Sequence, residues 1–508
     1  MKKKYVQCMV AAMTVLMFTG LTGCADTEQA IEDLSNLSYE SEVIVPRDDA
    51  SEVRMEGNRA NIMNPITGGV DELADKRRSE ITDSKDELSI KGKTYYISPA
   101  GDDLNDGLSA ETPFRSLDVL SWIPLSEGDA VLFERGSVFR VTEPILATQG
   151  VTYGAYGEGE KPCIYGSPKN YADPTIWKPS RMKNVWKIDF GYADAGNIVF
   201  NHGEYVGIKK MIGLNQLEAT GDFYHNETDG IIYLYCEEGN PGKIYQDIEI
   251  SPKSSIFTLD KGVSKVTIDN LCMKYVGEFA VNGFHNNKEI TITNCEMGYI
   301  GGSKLSLAVR YGNAIQFWNG TQNTMVKNCW IYQVYDTAIT FQGTSNEAYS
   351  NINFSDNLLE YNDMDIEIWD NGKNFTIDQL IIENNLMRYT AQGWGTRVED
   401  SGNRGGAAGF KFLLGNCVSC SGSLKKNVFD CPAYESVDIR KPESKFNFDI
   451  SGNSVYINGN YRGNENVVRF GGLAGGKTPE SLKATGQAAL ESAFKTFDKS
   501  AADIKWLQ

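Results

Sequence analysis

Asp365-Ile-Glu-Ile-Trp369 is one of five segments that share a single pattern; the others are Ala314-Ile-Gln-Phe-Trp318, Ala338-Ile-Thr-Phe-Gln342, Gly409-Phe-Lys-Phe-Leu413 and Ser436-Val-Asp-Ile-Arg440. The second and fourth residues of every segment are apolar, whereas the third residue is polar or charged. Because side chains alternate across a β-strand, each segment is predicted to be a strand whose second and fourth side chains point into a core. The third and fifth side chains are then predicted to point outward.

A column of Asn and Cys positions sets the period of this repeat. Each member follows a short β-type run, and the members are Cys295, Cys329, Asn357, Asn385, Asn427 and Asn453. Successive members lie 34, 28, 28, 42 and 26 residues apart, which indicates a repeat array that carries insertions. A repeat made of such short strands buries its apolar face only by stacking on the next copy. The stretch 266–457 is therefore predicted to be a parallel β-solenoid.

The column resembles the asparagine ladder of the right-handed parallel β-helix superfamily, the pectate-lyase-like proteins. Tyr95-Tyr-Ile-Ser-Pro-Ala-Gly-Asp-Asp-Leu-Asn-Asp-Gly107, followed by Thr112-Pro-Phe-Arg-Ser-Leu117, is similar to the opening of many secreted bacterial β-helix proteins. Residues 312–343 resemble a carbohydrate-active subgroup. The resemblance covers roughly residues 93–475 and implies an all-β, right-handed parallel β-helix. This fold carries lyases, hydrolases, epimerases and non-enzymatic fibres, so it does not name a reaction.

The N-terminus has the pattern of a targeting segment. Lys2-Lys-Lys4 precedes an apolar run, and Leu21-Thr-Gly-Cys24 resembles the bacterial lipobox. The resemblance implies that residues 1–23 are a lipoprotein signal peptide and that Cys24 carries the lipid. A lipid anchor would hold the protein on the outer side of the bacterial cell membrane.

Residues 24–90 are predicted to be an acidic, flexible tether. Residues 25–90 contain 17 Asp and Glu against 7 Lys and Arg and show little apolar periodicity, apart from a short helical stretch around Asp71–Arg78. The net charge of the whole chain, −18, argues against nucleic acid as a partner.

The β-helix domain is predicted to span residues 91–477 of a monomeric protein. An amphipathic helix at Phe114–Trp122 would cap its open end, and a helix within residues 478–508 would cap the other. Residues 177–250 interrupt the repeat as an aromatic-rich β insertion. Its aromatic side chains are expected mainly to form the core of a small sheet, although aromatic platforms also stack sugars.

Four carboxylates near the outward face are the predicted catalytic residues: Asp336, Asp363, Asp365 and Glu367. Asp336 and Asp363 take equivalent positions on coils about 4.8 Å apart, whereas Asp365 and Glu367 lie two residues apart on one strand. Glycosidases use two carboxylates, and either pairing fits, so retention and inversion both stay open. For Asp336 and Asp363, a purely structural role at the start of a strand is an equal alternative.

Two outward ladders are predicted to bind substrate around these carboxylates. Lys411 should stack on Glu367 and keep it ionised, which favours Glu367 as nucleophile or base and Asp365 as acid. Trp318 and Trp369 would stack a sugar ring, and the loop 393–406 would contribute further groups. The predicted binding residues are Gln316, Trp318, Trp369, Trp394, Arg397, Lys411, Asp438 and Arg440.

Three alternative functions are compatible with this interpretation of the sequence. The first is a glycoside hydrolase that acts on a polysaccharide and needs no metal or other cofactor. The second is a lyase or epimerase on uronic acids, which would use Lys411 or Arg440 as base and Ca²⁺ as cofactor. The third is a non-catalytic glycan-binding protein. Cys417-Val-Ser-Cys420 lacks the second cysteine pair or histidine cluster of a structural zinc site.

Overall fold

The computed structural model describes residues 68–85, 88–372, 374–397, 400–402, 404, 408–413, 417–440, 446–459, 461, 466–471, 481–483 and 486–507. The signal peptide, the lipid site Cys24 and residues 24–67 of the tether lie outside the described residues, and those predictions stay untested there.

Three long sheets, named I, II and III, take one strand each from most coils. Sheet I contains Thr94–Ile97, Ala130–Glu134, Thr152–Tyr156, Thr267–Asp269, Asn287–Lys288, Thr291–Thr293, Thr321–Lys327, Tyr349–Ser355, Thr376–Glu383, Ser419–Lys425 and Phe446–Ser451. Sheet II contains Val138–Arg140, Cys163–Tyr165, Cys272–Val276, Glu296–Ile300, Trp330–Val334, Leu358–Glu360, Leu386–Arg388, Val428–Asp430, Ser454–Ile457 and Ile504–Trp506. Sheet III contains Ile145–Leu146, Ser255–Leu259, Phe279–Phe284, Ile315–Trp318, Thr337–Gly343, Met364–Asp370, Phe410–Leu413, Val437–Arg440, Asn466–Gly471 and Ser481–Lys483.

Neighbouring strands of these sheets run parallel, apart from the last pair of sheet III. Consecutive strands of one coil go to different sheets, so the chain winds from sheet I through II to III and returns to I one level on. The protein is thus a right-handed parallel β-helix, as predicted.

The predicted strand register of sheet III is confirmed. Ile366 pairs with Ile339 on one side and with Phe410 on the other. The ten predicted inward side chains are buried: Ile315, Phe317, Ile339, Phe341, Ile366, Ile368, Phe410, Phe412, Val437 and Ile439. Their burial fixes the register, because a slip of one residue would turn every one of them to solvent.

The asparagine column is a continuous hydrogen-bonded ladder. The side-chain amide of Asn357 donates to Oδ1 of Asn385 at 2.9 Å, and Asn385 donates to Asn427 in the same way at 3.0 Å. Asn427 donates to Asn453 at 3.1 Å, and Asn453 donates to a carboxylate oxygen of Asp498 at 2.9 Å. Each backbone N–H donates to the same oxygen as its own side chain, so buried amides are satisfied coil by coil.

The two predicted caps differ in form. In place of a helix over Phe114–Trp122 the chain forms a short 3₁₀ turn, Leu117–Ser121, and Phe114 makes a β-bridge to Ile97. At the other end helix α3, Gln487–Phe497, buries Leu490, Phe494 and Phe497 against the last coils. Helix α3 thus covers apolar surface that the next coil would otherwise bury.

The insertion leaves the repeat after the strand Cys163–Tyr165 and contains two small sheets. A five-stranded sheet has the order Ile208–Lys210, Asp222–Asn226, Ile231–Tyr235, Val185–Asp189 and Lys178–Pro179. A three-stranded sheet has the order Tyr205–Val206, Ala195–Phe200 and Ile248–Pro252. The insertion also contains helix α2 at Pro241–Ile244 and 3₁₀ turns at Asn201–Gly203 and Leu214–Gln216. Outside the insertion, the chain forms a 3₁₀ turn at Trp394–Thr396 and a hairpin of Ser303–Lys304 with Arg310–Tyr311. Most of the insertion's aromatic side chains form its own core, as expected.

Helix α1, Asp71–Thr82, packs on the outside of sheet II. Arg78 forms a buried ion pair with Glu360 at 2.8 Å, and Arg388 reaches the same carboxylate at 3.2 Å. Arg77 donates to the carbonyl of Asn384 at 2.6 Å. The prediction of a flexible tether up to residue 90 is therefore wrong for this helix, whose charged residues find partners on the β-helix. No helix within the described ranges is long and apolar enough to cross a membrane.

Candidate functional site

Glu367 lies in the middle of the outward ladder of sheet III. It pairs with Thr340 on one coil and with Lys411 on the next, as the sequence predicts. The ammonium of Lys411 is 3.0 Å from Oε1 of Glu367, and Nε2 of Gln342 donates to Oε2 at 2.8 Å. Both oxygens of this nearly buried carboxylate are thus held, which fixes its orientation.

Asp336 and Asp363 lie at equivalent positions on adjacent coils, because the residues that follow them, Thr337 and Met364, are paired. Arg404 forms an ion pair with Asp336 at 3.1 Å. Both carboxylates are buried, at 5% and 2% exposed. Burial raises the pKa of Asp336, and the positive charge of Arg404 opposes that rise.

Asp363 is the carboxyl group on the outer face of sheet III whose surroundings favour the protonated form. Burial raises its pKa well above the ordinary value; Arg404 counteracts part of this, and the negative charge of Asp336 adds to it. Its Oδ1 is buried and has no hydrogen-bond partner among the residues that the structure describes. A buried oxygen without a partner costs free energy, which a bound hydroxyl group would recover.

Two cations complete this set, which we call the outer-face cluster: Asp336, Asp363, Glu367, Arg404 and Lys411. Burial alone would lower the pKa of Lys411, but Glu367 raises it above the ordinary value. Burial likewise opposes the charged form of Arg404, whereas Asp336 and Asp363 raise its pKa. Both side chains therefore stay charged, and each forms an ion pair with a carboxylate of the cluster, Lys411 with Glu367 and Arg404 with Asp336.

Asp365, the predicted acid, is not brought into the outer-face cluster. The register aligns it with Ala338 and Gly409, and its side chain is fully buried. It accepts hydrogen bonds from Asn362 at 3.0 Å and from Thr390. Burial raises the pKa of Asp365 to about 8, although these hydrogen bonds favour the ionised form. The expectation that Asp365 points outward beside Glu367 is wrong, because the first position of this strand lies in a column of small, buried residues.

The two predicted tryptophans form a stacked pair with ring centroids 6.2 Å apart and planes at 24°. Trp318 is only 2% exposed, whereas Trp369 is half-buried. Trp369 therefore presents the accessible face of the pair, next to the strand position of Glu367. Gln316, one coil before Thr340, is buried and accepts a hydrogen bond from Asn313 at 2.9 Å.

Asp438 and Arg440 lie on the coil beyond Lys411, as predicted, but they pair with each other at 2.7 Å. Arg469 approaches the same carboxylate at 3.7 Å. Asp438 and Arg440 thus form a separate ion-pair group on the next coil.

Trp394 and Arg397 hold their loop against the protein and do not reach the outer face. Trp394 is 1% exposed and donates to the carbonyl of Gln333 at 2.8 Å. Its ring packs against Tyr335 with ring centroids 5.0 Å apart and planes tilted by 48°. Arg397 donates to the carbonyls of Val206 and Gly207 at 2.6 and 2.8 Å. Their predicted position beside a sugar is wrong, because aromatic packing and backbone acceptors take up both side chains.

Asp400, which the sequence did not single out, joins this loop to the insertion. Its fully buried carboxylate pairs with Arg310 at 3.0 Å and with Arg397 at 2.9 Å, and it accepts from the backbone N–H of Lys209 at 2.7 Å. Four residues later, the backbone N–H of Arg404 donates to Gly395 at 3.0 Å. The insertion thereby helps to hold Arg404 at the cluster.

No group of three or more His, Cys, Asp or Glu side chains is arranged to hold a metal ion within the described part of the chain.

No protein-family model matches this chain, and no curated protein matches it. Among solved structures it is similar to the complex of XylC with xylose at 14% identity and a TM-score of 0.41, over 72% of this chain and 65% of that one. It is similar to a glycoside hydrolase at 12% identity and a TM-score of 0.42, over 72% and 93% of the two chains. It is also similar to pectate lyase Pel9A at 13% identity and a TM-score of 0.35, over 73% and 71%. The chain's own strand order is what defines it as a parallel β-helix.

Proposed function

We propose that this protein is a carbohydrate-active enzyme, a glycoside hydrolase that cleaves a polysaccharide at the outer-face cluster. The observation that carries the proposal is the contrast between two carboxylates of the cluster. Glu367 is ion-paired with Lys411, whereas burial holds the pKa of Asp363 well above its usual range. Glycoside hydrolysis uses one carboxyl group as acid and a second as base or nucleophile, and a raised pKa suits Asp363 to the acid role.

In this mechanism Asp363 donates its proton to the glycosidic oxygen as the bond to the sugar breaks. Glu367 acts from its fixed position, either on the sugar directly or on a water molecule. Lys411 and Gln342 orient Glu367. The charge of Asp336, held by Arg404, favours the protonated form of Asp363 before the reaction. Trp369 offers a flat apolar surface on which a sugar ring packs.

The cluster favours hydrolysis over uronate elimination for a reason of charge. An eliminating enzyme needs a basic group and a cation that neutralises the substrate's carboxylate. Lys411 is paired with Glu367, which raises the pKa of the lysine and makes it a poor base. Arg404 is paired with Asp336 and is not free to meet a substrate carboxylate.

We propose that the enzyme works as a monomer outside the cytoplasm, held to the bacterial cell membrane by lipid on Cys24. Polysaccharide is too large to enter the cell, and an anchored hydrolase would act on it at the surface.

The test is an assay of the purified chain on a panel of neutral and acidic polysaccharides. Hydrolysis releases reducing ends, whereas elimination also produces unsaturated products that absorb ultraviolet light. Glu367→Gln and Asp363→Asn should each lower kcat by about 10²- to 10⁴-fold, because each removes a positioned acid or base. Asp449→Asn is the matched control, since Asp449 is exposed and pairs with Lys425 on sheet I.

Full activity of both cluster variants on a confirmed substrate would move the active site elsewhere. Ultraviolet-absorbing products from the wild type would replace hydrolysis with the lyase reaction. Binding of a polysaccharide without any product over long incubation would favour the non-catalytic function.

A further inference from the structure

The five-stranded sheet of the insertion carries one row of side chains that crosses all five strands. Backbone pairing joins Lys210 to Tyr224, Tyr224 to Tyr233, Tyr233 to Lys187 and Lys187 to Lys178. Strands lie about 4.8 Å apart, so this row is about 19 Å long. Two tyrosines form its middle and lysines form its ends.

This row faces away from the core of the insertion. The residues that alternate with it, including Phe223, Ile232 and Leu234, are buried in that core. Tyr224, Tyr233 and Lys187 are half-buried, and Lys178 is exposed. Side chains directly opposite each other in a sheet share a face, so Tyr224 and Tyr233 both lie on this accessible surface.

The positive charge at one end of the row is unusual for this acidic protein. Residues 178–187 contain Lys178, Arg181, Lys183 and Lys187 and no acidic residue, in a chain of net charge −18. Lys210, at the far end, is paired with Asp222 at 3.4 Å. Lys178 and Lys187 form no ion pair with any residue that the structure describes. They also face each other directly, and like charges in that arrangement destabilise a sheet.

A shallow cavity adjoins this charged end. The hairpin Pro179–Trp186 forms most of its wall, with Arg181, Lys183 and Trp186 among the lining residues, and Cys236 and Gly239 close it. Lys178 and Lys187 are not among the lining residues, so the cavity lies beside the row and is not part of it.

We propose that this outer face is a binding surface for an anionic polysaccharide, separate from the outer-face cluster. Sugar rings would pack on Tyr224 and Tyr233, which supply rigid contact area at a low cost in conformational entropy. Carboxylate or sulfate groups would lie between Lys178 and Lys187 and relieve the repulsion between them. The surface would hold the enzyme on a polyanionic polymer whether or not that polymer is cleaved.

The test measures binding to two matched pairs of polymers: polygalacturonate with its fully methyl-esterified form, and dextran sulfate with dextran. The anionic member of at least one pair should bind more tightly, and added salt should weaken that binding. The pair that shows the difference tells carboxylate from sulfate recognition. Lys178→Gln combined with Lys187→Gln should weaken binding about 2- to 30-fold. Lys243→Gln, on the exposed helix α2, should leave it unchanged.

Three further variants separate this surface from the active site and from loss of folding. Tyr233→Phe should bind normally and Tyr233→Leu should bind weakly, with equal melting temperatures confirming that both are folded. Glu367→Gln should bind polyanions like the wild type, because Glu367 lies on sheet III. Equal binding of charged and neutral polymers would overturn the proposal. So would unchanged binding after both lysine substitutions, or loss of polyanion binding in Glu367→Gln.

Discussion

Asp365 is a carboxyl group that burial keeps protonated, with a pKa of about 8. The unfolded chain releases this proton near pH 3.9, so the folded state binds more protons between about pH 4 and pH 8. The contribution of Asp365 to stability is therefore fully present below the unfolded pKa and is lost as the pH rises toward the folded one. The group makes the protein less stable at neutral pH than an amide of the same shape would.

Asp365→Asn keeps the shape of the side chain and can still accept from Asn362 and bond to Thr390. It should raise the melting temperature relative to wild type at about pH 8 and change it little at about pH 4. Calorimetry at the two pH values measures this. Turnover should survive, because Asp365 does not reach the outer-face cluster. Loss of turnover with an unchanged pH dependence of stability would return Asp365 to a catalytic role.

The sequence contained a signal for the buried position of Asp365. The residues at the same place in the other segments, Ala314, Ala338, Gly409 and Ser436, are all small, as expected where the coil leaves no room. The sequence contained no such signal for the raised pKa of Asp363. Its raised pKa depends on Asp336 one coil away and on Arg404, which comes from a loop about forty residues further along the chain.

At the scale of single strands, the inward faces of sheet III should tolerate no charge. Ile366→Asp would bury an unpaired carboxylate, which should lower the free energy of unfolding by more than about 3 kcal/mol. Ile381→Asp is the control, because Ile381 is half-buried on the outward side of a sheet I strand. Denaturant unfolding compares the two variants. Similar losses of stability would mean that the assigned register is off by one residue.

Asp400 should affect catalysis only by holding its loop, and with it Arg404, in position. Asp400→Asn removes the charge that holds Arg310 and Arg397, so the loop should loosen and Arg404 should move from Asp336. On a confirmed substrate it should lower kcat as Arg404→Ala does, and the pH profile should shift in both variants. The double variant should lose no more than either single variant, because both changes act on one group. Additive losses would show that Asp400 and Arg404 act independently.

The elements differed in how well the sequence predicts them. The period of two fixes which strand faces are inward, so the ladder from Gln316 to Asp438 is predicted residue by residue. The sequence predicts the helix at Phe114–Trp122 less securely, because a short apolar pattern fits a 3₁₀ turn as well as a helix. Loop 393–406 was the least predictable element, because its contacts come from the distant insertion.

At the scale of the whole molecule, the proposed attachment to the membrane depends on one residue, Cys24. If the lipid is carried by Cys24, Cys24→Ala should release the protein into the soluble extracytoplasmic fraction. The polysaccharide activity of the released protein should be unchanged, since the β-helix does not contain Cys24. Cell fractionation followed by an activity assay measures both. An unchanged membrane fraction would rule out the lipid anchor.

The composition of residues 24–90 predicts a tether because it lacks apolar periodicity, but composition does not report ion pairs with distant residues. Asp71 and Arg78 are charged residues that hold helix α1 on sheet II, through Arg388 and Glu360. A charged helix therefore belongs to the folded body, which begins earlier in the chain than the composition predicts.

The asparagine ladder also limits how long the molecule can be. In each rung two N–H groups meet one oxygen of the next coil, and the last oxygen belongs to Asp498. A carboxylate accepts hydrogen bonds but has no N–H group to donate, so the row of amide-to-amide hydrogen bonds ends at Asp498. Asp498 thus works as a terminator: the column can gain or lose coils before it, but it cannot be continued beyond it.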